Sequence, residues 1–404
     1  MRKISTFLLL FSALPFCFSQ AKTDDALRQK AKDLAQKFII VDTHVDVPWR
    51  LQKKMEDVSV RTEEGDFDYV RAKEGGFDAP FMSIYVPSAL QKEKGASKLK
   101  ADSLIDLVEK LAKDHPDKFK MAYTPEDVIA NSAKGLISFP MGMENGSPIE
   151  DDIKNVEHFY KRGIRYITLT HAEDNLICDA SYSLSNKWSG LSPFGKKVIE
   201  EMNRLGVMVD VSHVSDKTIE QVLQISKAPV IASHSSCRFF TPGFNRNLPD
   251  NLIKAIAKKG GVVQINFGSA FLEPNHSKGF MEQRGHMTDW ALKNKSPQSS
   301  KEYQEEEKEY DRTHPLPRAT IDQLADHIDH VVKLVGINHV GLGSDFDGVG
   351  DTLPEGIKDV SQYSNLIFIL LKRGYSEKNI EKICSKNTFR VWKKVEKLAA
   401  GNNK

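Results

Sequence analysis

The chain has 404 residues, with 57 Lys plus Arg against 55 Asp plus Glu, for a formal charge of +2. That near-neutral balance argues against a nucleic-acid partner, which needs a basic surplus, and no stretch reaches the roughly 20 apolar residues of a membrane span. The length exceeds that of an ordinary domain, but barrels of this size fold around one core.

At the N-terminus, residues 1–19 open with Met1-Arg2-Lys3, run through apolar residues to Phe18 and close on Ser19, the layout of a secretory signal peptide. Phe16 stands where a lipoprotein signal needs a small residue before Cys17, and the C-terminus has no hydrophobic tail, so neither pattern supports a lipid anchor. The expected mature chain, 20–404, loses Arg2, Lys3 and no acid, and is formally neutral. It keeps Cys178, Cys237 and Cys384, an odd number that permits an oxidising compartment without a disulfide framework. A secreted or periplasmic destination follows as the expectation.

Eight segments rich in Val, Ile and Phe come next, at 38–46, 77–86, 136–144, 164–171, 207–213, 230–234, 261–267 and 339–345. Short, nearly continuous apolar runs suit strands buried on both faces. Most are followed by a polar or amphipathic stretch long enough for a crossover helix. The clearest helices are predicted at 98–113 and 321–334, the second turning Leu324, Ile328, Val331 and Val332 toward the barrel. This alternation predicts an α/β fold, a single (β/α)8 TIM barrel. The segment 271–318, after the seventh run, reads as an extended loop with a solvated helix at 301–309, placed to form part of a lid.

Chemistry in such barrels sits at the C-terminal ends of the strands. The apolar runs end in His44 and Asp46, Glu144, His171, His213, His234 and Asp345; only the second and seventh lack a group able to bind metal or move a proton. His44 and Asp46 are two apart, so strand alternation predicts that they face the same side. With His213 and His234 they offer four ligands to a divalent ion. Glu144, before Asn145-Gly146, has a plain reading as a cap on the next turn. Its two carboxylate oxygens also suit it to bridge two cations, ~3.5–4 Å apart in paired sites.

The segments Val41-Asp42-Thr43-His44-Val45-Asp46, Gly142-Met143-Glu144-Asn145-Gly146, Asp210-Val211-Ser212-His213, Ser233-His234-Ser235-Ser236 and Gly343-Ser344-Asp345-Phe346-Asp347-Gly348 resemble the renal or membrane dipeptidase family, peptidase family M19 of the amidohydrolase superfamily. The likeness runs from about Phe38 to Trp392. It implies the barrel, two zinc ions per chain, small dipeptide substrates with a D-residue accepted at the C-terminal position, and a homodimer. Residue by residue, it implies His44 and Asp46 on one zinc, His213 and His234 on the other, Glu144 between them, and Arg246 gripping the substrate. A guanidinium fork suits the dipeptide's free carboxylate. The stretch from His234 to Arg246 is about one residue longer than the mammalian pattern, which leaves Arg238 as a rival.

Two zinc ions would acidify a shared water for attack on the peptide carbonyl. Asp345 and His171 end apolar runs without being needed as ligands. Asp345 is expected to take the water's proton and pass it to the leaving amine, and His171 to contact the substrate and stabilise the oxyanion. Two competing readings are an amidohydrolase for N-acyl amino acids, a lactone or a β-lactam, and a barrel that binds without catalysis. Structural roles are expected for His327 and His330, on the side far from the strand C-termini, and for Asp347, in loop hydrogen bonding. Asp42 is expected to orient a ligand and Cys237 to be a free thiol, while His276, His286 and His314 are expected not to be ligands.

Overall fold

The computed structural model describes residues 14–297 and 300–402. Residues 1–13 of the expected signal peptide lie outside the described residues, and the helix Leu14–Lys37 leads into the first strand. Among the described residues ten strands follow: β1 (Ile40–Val45), β2 (Phe77–Tyr85), β3 (Phe119–Met121), β4 (Ile137–Phe139), β5 (Met141–Glu144), β6 (Ile164–Thr168), β7 (Met208–Asp210), β8 (Ile231–Ala232), β9 (Val262–Ile265) and β10 (Val340–Leu342). All but β3 and β4 form one parallel eight-stranded sheet in the order β1-β2-β5-β6-β7-β8-β9-β10. Its edges meet, because Asp46 N–H donates to Phe346 O at 2.8 Å and Asp345 N–H to His44 O at 3.0 Å. The result is the expected (β/α)8 barrel, nearly closed, with one barrel strand inside each apolar run.

The third run departs from its expected form. It splits at Pro140 into β4, which pairs with β3 in a separate two-stranded sheet, and β5, which joins the barrel. Proline has no N–H to give a ladder, but its carbonyl accepts from Met82 N at 2.8 Å and so starts the β2–β5 pairing.

Both predicted helices form. Ala96–Asp114 buries Ala101, Leu104, Ile105 and Val108. Ile321–Val335 starts from a capping box between Thr320 and Gln323. It buries Leu324, Ile328 and Val331 completely and Val332 partly. The final helix, Asn387–Asn402, packs Phe389, Trp392 and Val395 against Val41, Phe81, Tyr166, Met208, Ile231 and Val262. Val41 is second in its strand and Met208, Ile231 and Val262 are first in theirs, so this helix plugs the N-terminal end of the barrel and leaves the C-terminal end for chemistry.

Between β9 and β10 the segment expected as an extended loop with a solvated helix at 301–309 carries two long helices, Pro274–Asn294, which was not expected, and Lys301–Thr313, which contains the expected one. His286 Nε2 and Glu306 Oε1, 2.7 Å apart, join them. The first lays Phe280 edge-on to Phe244, ring centroids 6.1 Å apart. No helix among the described residues is long and apolar enough to cross a membrane.

Candidate metal centre

The strands stop short of the residues that carry the chemistry. β6 ends at Thr168, β7 at Asp210, β8 at Ala232 and β10 at Leu342, so His171, His213, His234 and Asp345 stand on the loops that follow; only His44 and Glu144 lie inside strands. His213 (φ 69°) and Asp345 (φ 65°) adopt left-handed backbone. For residues with a Cβ this costs about 1–3 kcal/mol each, a strain that surrounding structure must hold. His44 and Asp46 do share a side, but not through strand alternation. Asp46 has already left the strand for the N-cap of the helix Val47–Lys53, and its Oδ2 lies 3.5 Å from His44 Nε2.

The two oxygens of Glu144 face different partners. Oε1 lies 3.1 Å from His213 Nε2 and 3.5 Å from the Nε2 atoms of His234 and His171, whereas Oε2 lies 3.4 Å from His44 Nε2. Asp345 Oδ1 approaches His44 Nε2 to 4.0 Å. Among the described residues the donors form three overlapping groups: His44, Glu144 and His234; Glu144, His171 and His213; His44, Asp46 and Asp345.

The protonation pattern fits these groups to metal. Tyr166 Oη donates to Thr43 O at 2.9 Å, so toward His44 Nδ1, 2.8 Å away, it accepts. That puts the His44 proton on Nδ1 and leaves Nε2 a bare acceptor, buried and without a hydrogen-bond partner. Ser233 repeats the device: its hydroxyl donates to Asp210 Oδ2 at 2.6 Å and accepts from His234 Nδ1 at 2.7 Å, leaving His234 Nε2 bare and 2.9 Å from His213 Nε2. Buried lone pairs beside a carboxylate are costly unless a cation sits among them. Partners on the far ring nitrogen are how ligating histidines are aimed. Gly142 makes room for the first of them, since a Cβ there would lie 1.9 Å from the Tyr166 ring. In Tyr166→Phe, metal affinity measured by chelator competition should fall about 10–100-fold, with the circular dichroism of the fold retained.

Burial works to raise the Glu144 carboxyl, but the imidazoles gathered around it, His44 and His171 first and then His213 and His234, hold it well below the usual range. Burial pushes His213 and His234 well below the ordinary imidazole value, aided by nearby Arg246. Neutral imidazole is the ligating form. Asp345 is pushed up to about 8, first by burial and then, against the pull of His44, by Asp46 and Glu144. Its Oδ2 accepts from Asn266 Nδ2 at 2.8 Å. Asp42 accepts from the backbone N–H groups of His44 at 3.0 Å and Ser344 at 2.9 Å, tying the first ligand to the loop that carries Asp345. Gly348 is confined by the same loop; a Cβ there would meet Asp46 Oδ2 at 2.2 Å and Asp345 Oδ1 at 2.3 Å.

The two arginines separate clearly. Arg238 is committed to Asp216 through two bonds of 2.7 Å. Arg246, 2% exposed, donates only to Ser235 Oγ at 2.6 Å and His234 O at 2.8 Å, stacks over Phe271 at 5.2 Å, and keeps an unpartnered Nε. Among the described residues no carboxylate forms an ion pair with it.

Asp347 accepts from Asp66 N at 2.6 Å and pairs with Arg50 Nε at 3.3 Å, the loop role expected. His327 is a correction: its ring lies between Cys237 N and Leu272 O, at 3.0 and 3.3 Å, beside the loops after β8 and β9 rather than at the far end. Both its nitrogens face backbone, so its role is structural. His330 pairs with Asp250 at 2.8 Å, and Cys178, Cys237 and Cys384 are free and buried. His276, His286 and His314 belong to none of the three donor groups. Tyr166, Ser233, Asp210 and Asn266 were not singled out as site residues in the sequence. Tyr166 and Asp210 lie on the strands that lead to His171 and His213, and that placement was their only signal.

A parallel barrel that holds a carboxylate between imidazoles at its C-terminal end defines a metal-dependent hydrolase of the TIM-barrel type. The family model of the membrane dipeptidases, peptidase family M19, matches residues 28–404, and the chain belongs to that family. It is 32% identical over 342 residues to dipeptidase tcpJ of Claviceps purpurea, covering 83% of this chain and 71% of that one. The crystal structure of the probable dipeptidase PvdM from Pseudomonas aeruginosa superposes with a TM-score of 0.81 at 28% identity, covering 93% of this chain and 99% of that one. A metallo peptidase from Rhodobacter sphaeroides, liganded with a phosphinate mimic of the dipeptide L-Ala-D-Ala, superposes with a TM-score of 0.73 at 25% identity over 89% of this chain and 99% of its own. The protein is thus a dipeptidase of a metal-dependent family, with the residue groups to bind metal.

Proposed function

We propose that the protein is a two-zinc dipeptidase in which His44 and Asp46 hold one ion, His213 and His234 the other, and Glu144 bridges them. The observation that carries this reading is the division of the Glu144 carboxylate, one oxygen toward His213 and His234 and the other toward His44. When bound, the ions supply Lewis acidity and bring the pKa of water toward neutrality.

The chain's own residues do the rest. Arg246, a buried cation with no carboxylate partner among the described residues, receives the dipeptide's C-terminal carboxylate, and this would fix which bond is presented to the attacking water. Asp345, held by Asn266 and raised into the range of a proton carrier, takes a proton from water and delivers it to the leaving amine. His171, on the open side of Glu144 with its ring 22% exposed, stabilises charge on the carbonyl oxygen. Acceptance of a D-residue at the C-terminal position, export through the leader 1–19, and a homodimer belong to the same proposal. The likeness to the Rhodobacter enzyme, whose ligand mimics L-Ala-D-Ala, supports the first of these.

A kinetic panel of L,L and L,D dipeptides, run beside metal analysis of the same sample, tests the reading. Turnover of dipeptides by protein holding two zinc ions, lost on chelation and restored by zinc, is the expected result. Cleavage of N-acyl amino acids or β-lactams with no cleavage of dipeptides would replace it with the broader amidohydrolase reading.

A further inference from the structure

The helix Pro274–Asn294 brings a second guanidinium to the mouth of the site. Arg284 stacks over the Tyr182 ring, 4.3 Å from its centroid, and lies 5.8 Å from that of Phe280. Tyr182 in turn borders the metal centre, with its ring 6.2 Å from His213 and 6.2 Å from Phe244. Phe244 packs on Phe271 at 5.5 Å, and Phe271 carries the Arg246 guanidinium at 5.2 Å. One aromatic wall therefore runs from the ligand His213 to the rim, with a buried arginine at its inner end and an exposed arginine at its outer end.

Beyond its stacking on Tyr182 and Phe280, the Arg284 charge is uncommitted. Among the described residues no carboxylate forms an ion pair with it, unlike Arg312, paired to Glu309 at 2.6 Å, or Arg318, paired to Asp351, on the same segment between β9 and β10. Its positive charge and that of Arg246 both act on the Tyr182 phenol, which burial otherwise raises. With the α-carboxylate of a dipeptide held at Arg246, the wall of Phe271, Phe244 and Tyr182 is the surface that leads from that carboxylate to Arg284.

We infer that Arg284 is a specificity-determining residue that selects dipeptides with an acidic side chain, Asp or Glu, at the C-terminal position. The inference rests on the dipeptidase reading above and names the substrate class within it. A guanidinium offers a carboxylate two parallel hydrogen bonds, which a neutral amide of the same shape cannot match. The helix that carries Arg284 lies in the segment between β9 and β10, so the preference belongs to that segment rather than to the metal centre.

The test compares kcat/KM for Ala-Glu with that for its neutral isostere Ala-Gln, and for Ala-Lys, in the zinc-loaded full-length protein. The wild type should favour Ala-Glu over Ala-Gln by about tenfold, the discrimination typical of one charge-assisted contact. Arg284→Ala should bring that ratio close to one, and Arg284→Glu should move the preference to Ala-Lys. Arg284 is solvent-exposed on a helix, so both variants should fold, and circular dichroism checks this. An Ala-Glu to Ala-Gln ratio near one in the wild type, or one that persists in both variants while dipeptides are still cleaved, overturns the inference and leaves the dipeptidase reading standing. Absence of cleavage of every dipeptide overturns both.

Discussion

Asp345→Asn should retain two zinc ions per chain while kcat falls by about 10²–10⁴, the usual worth of a positioned general base. The amide keeps the size of the carboxylate and can still pair with Asn266, which now holds Asp345 Oδ2 at 2.8 Å. It cannot take up a proton at the working pH. KM should change little, because Arg246, the proposed anchor for the substrate, is untouched. Asp345 sits farther from the imidazoles than Glu144 does, at 4.0 Å from His44 Nε2 against 3.4 Å. Asp345 nevertheless shares a donor group with His44 and Asp46, so metal content is the readout that separates a proton carrier from a ligand. Metal analysis with steady-state kinetics on one preparation checks this; if the ions leave with the carboxylate, Asp345 is a ligand and the division of roles fails.

The second large effect is on metal content itself. Glu144→Gln should weaken both metal positions together and abolish turnover. The wild-type oxygens face His213 and His234 on one side and His44 on the other. Glutamine keeps one carbonyl oxygen and replaces the other with an NH₂ group, a donor aimed where a cation has to sit. It also removes the negative charge that would offset the two proposed divalent ions in a buried site. Plasma emission analysis after dialysis should show zinc falling at both positions. Loss of a single ion would mean that Glu144 serves one position and that the bridge is wrong.

Much of this was legible in the sequence, for identifiable physical reasons. A strand covered on both faces must be apolar throughout, so the eight runs marked the barrel strands and their order. Barrel chemistry collects where strands end, so His44, Asp46, Glu144, His171, His213, His234 and Asp345 stood out together. Other features were not readable because they depend on which neighbour a residue meets after folding. β7 and β10 stop three residues before His213 and Asp345, since pairing with adjacent strands and not apolar content decides where a ladder ends. The left-handed backbone of both residues has no glycine to announce it. The break at Pro140 hid inside an otherwise continuous apolar run.

The choice between Arg246 and Arg238 turned on a partner 22 residues away from Arg238, the carboxylate of Asp216. Nothing in the local motif carried that information. The proton positions of His44 and His234 likewise depend on Tyr166 and Ser233, whose own hydrogens are committed to Thr43 and Asp210. Position along a strand placed these residues near the site but could not state the direction of a hydrogen bond. Arg284 was invisible for a related reason: its meaning comes from the Tyr182 ring that it covers, more than 100 residues earlier in the chain.

The central claim, that Glu144 joins two metal positions built from His44 with Asp46 and His213 with His234, is tested most directly by anomalous scattering from a crystal of the zinc-loaded protein. Two zinc peaks about 3.5–4 Å apart, each within bonding distance of one Glu144 oxygen and of its own histidine, are the expected result. A single peak, or two peaks of which one has no contact with Glu144, would contradict it.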